Sequence, residues 1–153
     1  TGAATVSLLA GQSFSVTVDA NQLWSAGDLP RWSNADGLVV DLKATGSDAS
    51  GQAAGTLIGT SFGNLDLAGA SAPYGALVGQ IGGGNFFLVG TSYTGQAANA
   101  GLLKLYYWDS SNVDNVGSIT ASINVSAVPE PGTYALMAGG LALMGLFARR
   151  NRT

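Results

Sequence analysis

The sequence of 153 residues contains neither cysteine nor histidine. Without cysteine there can be no disulfide, thiol nucleophile or thiolate metal ligand. Without histidine the chain lacks the usual zinc ligand, the base of the Ser-His-Asp mechanism and the commonest general base at neutral pH. Carboxylate pairs or tyrosine and lysine chemistry would remain for an enzyme, and Asp109 and Asp114 are the pair that a hydrolase could use. We predict that the protein is not an enzyme.

Charged residues are also scarce, at 10% of the chain, against about 25% in ordinary globular proteins. Before Val128 there are eight aspartates, no glutamate and three basic residues, which gives this part a net charge of −5. Phosphate binding needs a basic face, so we predict no nucleic-acid partner. Aspartates on a charge-poor chain suit a cation held by oxygen ligands, although aspartate is also a common turn residue.

Alternating apolar and polar residues indicate short β-strands along most of the chain. Phe14, Val16 and Val18 would share one face of a strand over residues 13–19. Because no convincing amphipathic helix precedes residue 130, we predict an all-β fold for residues 1–127, an antiparallel β-sandwich of jelly-roll or lectin-like type. Similar patterns predict further strands at residues 38–42, 55–59, 75–81, 85–89, 102–108 and 118–125, a long mobile loop at 45–56 and a tight turn at 82–84.

The last residues differ in character from the rest. Residues 128–133 form a proline-rich linker, residues 134–148 are apolar without a charge, and residues 149–153 are a basic stop. The apolar segment is predicted to be a C-terminal helix. It is shorter than the roughly 17 to 25 residues that span a bilayer, but the arginines after it favour a membrane or sorting segment over a buried core helix.

This tail resembles the PEP-CTERM sorting signal of Gram-negative bacteria. Pro129, Glu130 and Pro131 precede the apolar segment, and Arg149 and Arg150 follow it. The resemblance implies export, insertion of residues 134–148 into the membrane before processing, and recognition by an exosortase-type protease. It also implies a place at the cell surface or in the extracellular matrix or biofilm.

The segment from Asp109 to Asn115 carries three short oxygen donors, Asp109, Asp114 and Asn115, between two predicted strands. Calcium takes six to eight oxygen ligands, and such loops can supply them. Asp and Asn also concentrate in hairpin loops for conformational reasons alone. Spacing by itself leaves both interpretations open.

The body also resembles the PA-IL-like, calcium-dependent galactophilic lectins. The resemblance rests on Gly-Ala-Leu-Val at residues 75–78 and on Asp109, Asp114-Asn115 and Gly117-Ser118. It implies a Ca²⁺ ion whose shell is completed by sugar hydroxyls. The implied ligands are Asp109 as a bidentate carboxylate, Asp114 and Asn115 through their side chains, and Ala26 and Asn112 through their carbonyls.

Two features depart from that family. The loop is two residues shorter, and Asp114 replaces an asparagine, which should strengthen calcium binding and leave fewer positions for sugar. Aromatic faces suit sugar rings, and Trp24 and Trp32 are predicted to lie in a loop beside the calcium site. Together with Asp36 they are the predicted carbohydrate-binding residues, whereas Tyr106 and Trp108 are predicted to lie in the core.

The sequence therefore predicts an exported, non-catalytic protein that binds carbohydrate or exopolysaccharide through calcium. The alternative is a structural subunit of an extracellular matrix or filament that assembles through β-edges as a homo-oligomer. Low charge, abundant Gly, Ser and Thr, and residues 5–9 as a strand that could be donated to a neighbouring copy favour this alternative.

Overall fold

The computed structural model of the protein describes residues 2–127, which contain β-strands and no helix. The predicted all-β class is confirmed for these residues, while their arrangement as a jelly-roll sandwich stays a prediction. No helix among them could cross a membrane. The predicted linker, apolar helix and basic stop lie outside the described residues.

The strands are short and follow one another along the whole body. Their bounds are β1 Ala3–Leu8, β2 Ser13–Val18, β3 Trp24–Ser25, β4 Trp32–Ser33, β5 Leu42–Lys43, β6 Leu57–Gly59, β7 Asn64–Leu67, β8 Ala70–Pro73, β9 Leu77–Ile81, β10 Phe86–Leu88, β11 Ser92–Gln96, β12 Gly101–Tyr107, β13 Val116–Gly117 and β14 Ala121–Val125.

Two antiparallel sheets contribute to the largest core cluster. One has the strand order β1-β12-β9-β10 and the other β11-β2-β14. The alternating residues Phe14, Val16 and Val18 of β2 are buried in the same cluster as Leu103 and Leu105 of β12. Each such side chain stabilises the fold by roughly 1.5–3 kcal/mol when fully buried, so apolar alternation in these strands holds the two sheets together.

Among the described residues the edge strands are β1 and β10 in the first sheet and β11 and β14 in the second. Strand β1 pairs with β12, so the segment predicted for donation to another copy belongs to a sheet of its own chain. Strand β14 pairs with β2 along its whole length. Just beyond it, the Ser126 amide donates to the Ser13 carbonyl, and Gln12 Nε2 donates to the Ser126 carbonyl at 3.0 Å.

Three smaller sheets complete the body: β13-β3-β4, β5-β6 and β7-β8. Trp32 and Ile58 belong to one small core cluster beside these sheets, and Ala72 and Trp108 belong to another. The burial of Trp108 confirms its predicted place in the core, and Tyr106 packs against the same cluster. The first of these sheets, β13-β3-β4, holds the loops described below.

Most predicted strands are present, with ends shifted by a few residues. The exception is residues 38–42, of which only Leu42 lies in a strand. The turn at residues 82–84 is confirmed, with the Gly84 amide donating to the Ile81 carbonyl at 2.9 Å. Residues 45–56 form a loop, as predicted. The sequence pattern does not predict β1, β3, β4, β7, β8, β11 or β13 as paired strands of the body.

The predicted loop position of Trp24 and Trp32 is wrong. They lie in β3 and β4, which pair antiparallel with Trp24 opposite Ser33 and Ser25 opposite Trp32. Both side chains are only 9% exposed. Runs of two strand residues carry too little alternation to be recognised in a sequence, and here pairing comes from contacts with distant residues.

Candidate functional site

The loop after β12 is held firmly at its start. The Trp108 amide donates to the Ala76 carbonyl and the Gly75 amide donates to the Trp108 carbonyl, both at 2.9 Å. Trp108 Nε1 donates to the Leu65 carbonyl at 2.9 Å. Because three hydrogen bonds fix Trp108, the position of the next residue, Asp109, is set by the core.

The far end of this loop is held by β13, which pairs with β3. Gly117 has a φ of 85°, and a Cβ there would lie 3.0 Å from the Leu23 carbonyl oxygen. A glycine at this position allows the two backbones to approach closely. The pairing brings Asp114 and Asn115 next to the turn that follows β3.

That turn, residues 26–31, contributes the opposite wall. The Ala26 amide donates to the Arg31 carbonyl at 3.0 Å, and Ser25 Oγ donates to the Gly27 carbonyl at 2.6 Å. Gly27 has a φ of 124°, and a Cβ there would lie 2.5 Å from Asp114 Oδ2. A side chain at residue 27 would displace the Asp114 carboxylate from its position beside this turn.

These two segments enclose a cleft of about 230 Å³, which we call the acidic cleft. Its carboxylates are those of Asp109, which is half-buried, and Asp114, which is exposed. Within residues 2–127 no group of three or more acidic, histidine or cysteine side chains converges. The cleft is lined by Ala26, Arg31, Leu38, Phe62, Tyr74, Asp109, Ser110, Ser111 and Asp114.

A second and larger cavity of about 520 Å³ lies on the other side of the same loop, and we call it the inter-sheet groove. It runs between residues of the edge strands β1 and β14 and reaches Trp24 and Leu77. Asp109 borders both cavities, whereas Asn112 and Asn115 border the groove and not the cleft. The five predicted calcium ligands are therefore divided: Ala26, Asp109 and Asp114 meet at the cleft, and the two asparagines lie elsewhere.

The electrostatic field around the loop is negative. Burial raises the pKa of the Tyr107 phenol well above its usual range, and the carboxylates of Asp109 and Asp114 raise it further. Both carboxylates disfavour the anionic phenolate, as nearby like charges do. The same field favours a cation near the loop.

The chemistry of the cleft residues fits a calcium ion. Asp109, Asp114, Ser110 and Ser111 line the cleft, and their carboxylates and hydroxyls are hard oxygen donors, which calcium prefers. The positive charge of Arg31 disfavours a bound cation, because its guanidinium lies near Asp114. Arg31 Nη1 is 3.4 Å, and Asp114 Oδ2 is 2.5 Å, from the position that a Cβ at residue 27 would take. Ala26, Asp109 and Asp114 are the residues that would hold the ion.

The predicted carbohydrate-binding residues do not gather at the cleft. Trp24 borders the inter-sheet groove, and its Nε1 donates to the Gly75 carbonyl at 2.8 Å. Trp32 is buried among Leu23, Ala44 and Ile58. Asp36 Oδ1 accepts from the Thr91 amide at 2.7 Å and from the Thr91 hydroxyl at 3.0 Å, so its carboxylate connects distant loops of the fold.

The sequence prediction missed the aromatic residues that do border the cleft. Phe62 is 52% exposed, and its ring meets that of Tyr74 edge to face at 5.1 Å. The Arg31 guanidinium lies over the Phe62 ring, 5.4 Å from its centroid. The available signal was a single aromatic residue in the polar run Thr60-Ser61-Phe62-Gly63-Asn64.

Comparison with known proteins identifies the tail. The model of the PEP-CTERM protein-sorting motif matches residues 127–152. No curated protein matches the chain. The match covers the tail alone, so the lectin-like resemblance of residues 1–127 has no support from a relative.

The motif places this chain among exported proteins that Gram-negative bacteria sort to the cell surface or beyond it. It implies processing by an exosortase-type protease at the membrane. Pro129, Glu130, Pro131, Arg149 and Arg150 lie within the matched residues, outside those that the structure describes.

Proposed function

We propose that this exported protein is a non-catalytic carbohydrate-binding protein and that it binds its ligand through a calcium ion in the acidic cleft. The observation that carries the proposal is the meeting of Ala26, Asp109 and Asp114, from two separate segments, at one cleft. Turns alone would not require these oxygen donors to converge. The exported location is one where calcium and polysaccharide are both accessible.

Calcium would be held by the two carboxylates and the Ala26 carbonyl. These groups supply fewer than the six to eight oxygens that calcium takes, so positions are left for water and for hydroxyl groups of a sugar. When bound, the ion would supply direct coordination of those hydroxyls. Asp109 and Asp114 would neutralise its charge.

The exposed Phe62 ring beside the carboxylates supports carbohydrate as the ligand class. Sugar rings combine apolar C–H faces with hydroxyl groups, and they pack on aromatic rings while polar groups bind the hydroxyls. Phe62 and Tyr74 would contact the apolar face. Arg31 and the serines of the cleft would donate hydrogen bonds to the hydroxyls.

The test is calcium titration of the full-length chain by calorimetry, followed by retention on immobilised polysaccharides with and without chelator. We expect calcium binding, and polysaccharide retention that is lost in chelator. Phe62→Ala should keep calcium binding and lose retention. Leu67→Ala, which truncates another exposed apolar side chain, should keep both.

Absence of calcium binding in the unmodified chain would overturn the proposal. So would retention that chelator leaves unchanged.

Edge strands of the two main sheets favour a second candidate, a structural subunit that assembles through β1 or β14. Unpaired strand edges present backbone donors and acceptors to another chain. Sedimentation velocity of the full-length chain in detergent distinguishes this function, since it predicts assemblies that grow with concentration. A proline at Thr5 or at Ile123 should then reduce assembly, and a monomer at all concentrations would exclude it.

A further inference from the structure

The inter-sheet groove carries a second, separate inference, because its lining is unlike that of the acidic cleft. Its volume of about 520 Å³ falls in the range of about 300–1,000 Å³ typical of small-molecule sites. The side chains of Leu77, Leu105 and Ile123 give it an apolar wall. A ligand of matching shape would bury an apolar body there.

Two residues that line this groove carry a buried polar atom without a hydrogen-bond partner among the described residues, and both atoms can accept a hydrogen bond. They are Asn115 Oδ1 and the Tyr107 phenol oxygen, whose hydroxyl can also donate. Asp109 adds a carboxylate, and no lysine or arginine lines the groove in the part of the chain that the structure describes. A buried acceptor without a donor is costly. A ligand that donates a hydrogen bond to this acceptor would remove that cost.

The aromatic residues of the groove favour a donor that is also positively charged. The rings of Trp24 and Tyr107 meet edge to face with centroids 4.3 Å apart, and both residues line the groove together with Tyr106. The faces of such rings attract ammonium groups. Asp109 attracts the same charge, and Asp114 adds to the negative field around Tyr107.

We propose that the inter-sheet groove binds a protonated primary amine carried on an apolar body, with the ammonium group between Asp109 and Asn115 Oδ1. The ammonium would satisfy the Asn115 acceptor and form a charged hydrogen bond with Asp109. The apolar body would lie against Leu77, Leu105 and Ile123. Both an aliphatic amine and an amino sugar have this chemistry. Because Asp109 also borders the acidic cleft, the amine site is tested with calcium removed.

The experiment titrates the full-length chain with hexylammonium, 1-hexanol, D-glucosamine and D-glucose in the presence of chelator, so that its result is independent of calcium. Calorimetry gives the affinities. We expect an amine to bind at least about tenfold more tightly than its neutral counterpart, as loss of a charged hydrogen bond implies. Tighter binding of hexylammonium would identify an aliphatic amine, and tighter binding of glucosamine an amino sugar.

Variants distinguish amine binding in the groove from a general effect of the protein's charge. Asn115→Leu should weaken amine binding about tenfold, and Asn115→Asp, which keeps an acceptor and adds a charge, should strengthen it several-fold. Asp66→Asn removes an exposed charge on β7 and should leave the affinity within about twofold. The proposal is overturned if neither amine binds, if the neutral compounds bind equally well, or if Asn115→Asp binds amines no better than the unmodified chain.

Discussion

Two aspartate-bearing loops, residues 45–56 and 109–115, differ in how they use their carboxylates. In the first loop Asp48 accepts hydrogen bonds from the amide and hydroxyl of Thr45 and from the amide and hydroxyl of Ser50. In the second, Asp109 Oδ1 accepts from the Ser110 amide at 2.7 Å. Among residues 2–127 no hydrogen bond reaches the Asp114 carboxylate.

One aspartate therefore stabilises a turn, whereas the other two are available to a ligand. Asp48 organises its own loop, which is the ordinary role of aspartate in turns. Asp109 and Asp114 come from one loop but face a turn that follows another strand, and they leave oxygens without partners at a cleft. Both loops contain aspartate beside serine, and the hydrogen bonds distinguish the roles of their carboxylates.

The largest expected effect is the loss of calcium affinity when the two carboxylates of the acidic cleft are neutralised. Replacing both Asp109 and Asp114 with asparagine should weaken calcium binding by about 100-fold, because calcium affinity follows the number of ligand charges. Asp48→Asn should leave it within about twofold, since its oxygens belong to another loop. Calorimetric titration with calcium measures both. Equal losses in the two proteins would mean that the loops do not differ as proposed.

Alanine substitutions at Gly27 and Gly51 test the same difference between the acidic cleft and the loop of Asp48. Gly27 and Gly51 both have positive φ, so alanine at either should cost about 1 kcal/mol of stability through backbone strain. At Gly27 the new Cβ also meets Asp114 Oδ2, whereas nothing lies within 4 Å of the corresponding position at Gly51. We expect Gly27→Ala to weaken calcium binding by about tenfold, with Gly51→Ala unchanged. Thermal melts and calcium titrations of the two variants provide the measurements.

Replacing Arg31 should have a smaller effect on calcium affinity, and of opposite sign. Its guanidinium approaches the turn that faces Asp114 and reduces the negative field in the cleft. Arg31→Gln should therefore strengthen calcium binding by roughly threefold, a typical size for one partly screened charge. Lys43→Gln removes a positive charge from β5 and serves as the control. Weaker calcium binding in Arg31→Gln would indicate that the arginine does not oppose the ion.

The smallest expected effect concerns the first loop and its dependence on pH. Hydrogen bonds from Ser50 and Thr45 hold the pKa of the Asp48 carboxyl well below its usual range. Its stabilising contribution is therefore present above the ordinary aspartate pKa of about 3.9 and is lost as the pH falls below that value. Asp48→Asn should melt at a lower temperature at pH 7, and the difference should shrink towards pH 2. A difference that grows on acidification would contradict this explanation.

The sequence predicts those parts of the fold that depend on local pattern. The alternation of Phe14, Val16 and Val18 identifies β2, and the glycine run at residues 82–84 identifies the turn between β9 and β10. These features need no knowledge of distant partners. The tail is predicted on the same ground, because its proline motif, apolar segment and arginines are contiguous.

The parts that could not be predicted depend on contacts between distant residues. Trp24 is buried because its indole reaches Gly75, and Asp36 is engaged because Thr91 lies beside it. Phe62 and Tyr74 meet only through the fold. The sequence predicts that Asp109 and Asp114 belong to one candidate site because they are close in the chain. The division of the five candidate residues between the two cavities depends on the fold and could not be predicted.

The bonds around Ser126 have a mechanical consequence. A force applied to the body through the C-terminal segment acts first on Ser126. Hydrogen bonds with Gln12 and Ser13 hold this residue at the end of β14. Because β14 is paired on one side only, that load is carried first by this corner and then by the pairs that join β14 to β2. Resistance to flow at a cell surface would depend on this corner, so Gln12→Ala should lower the force needed to peel the strand away.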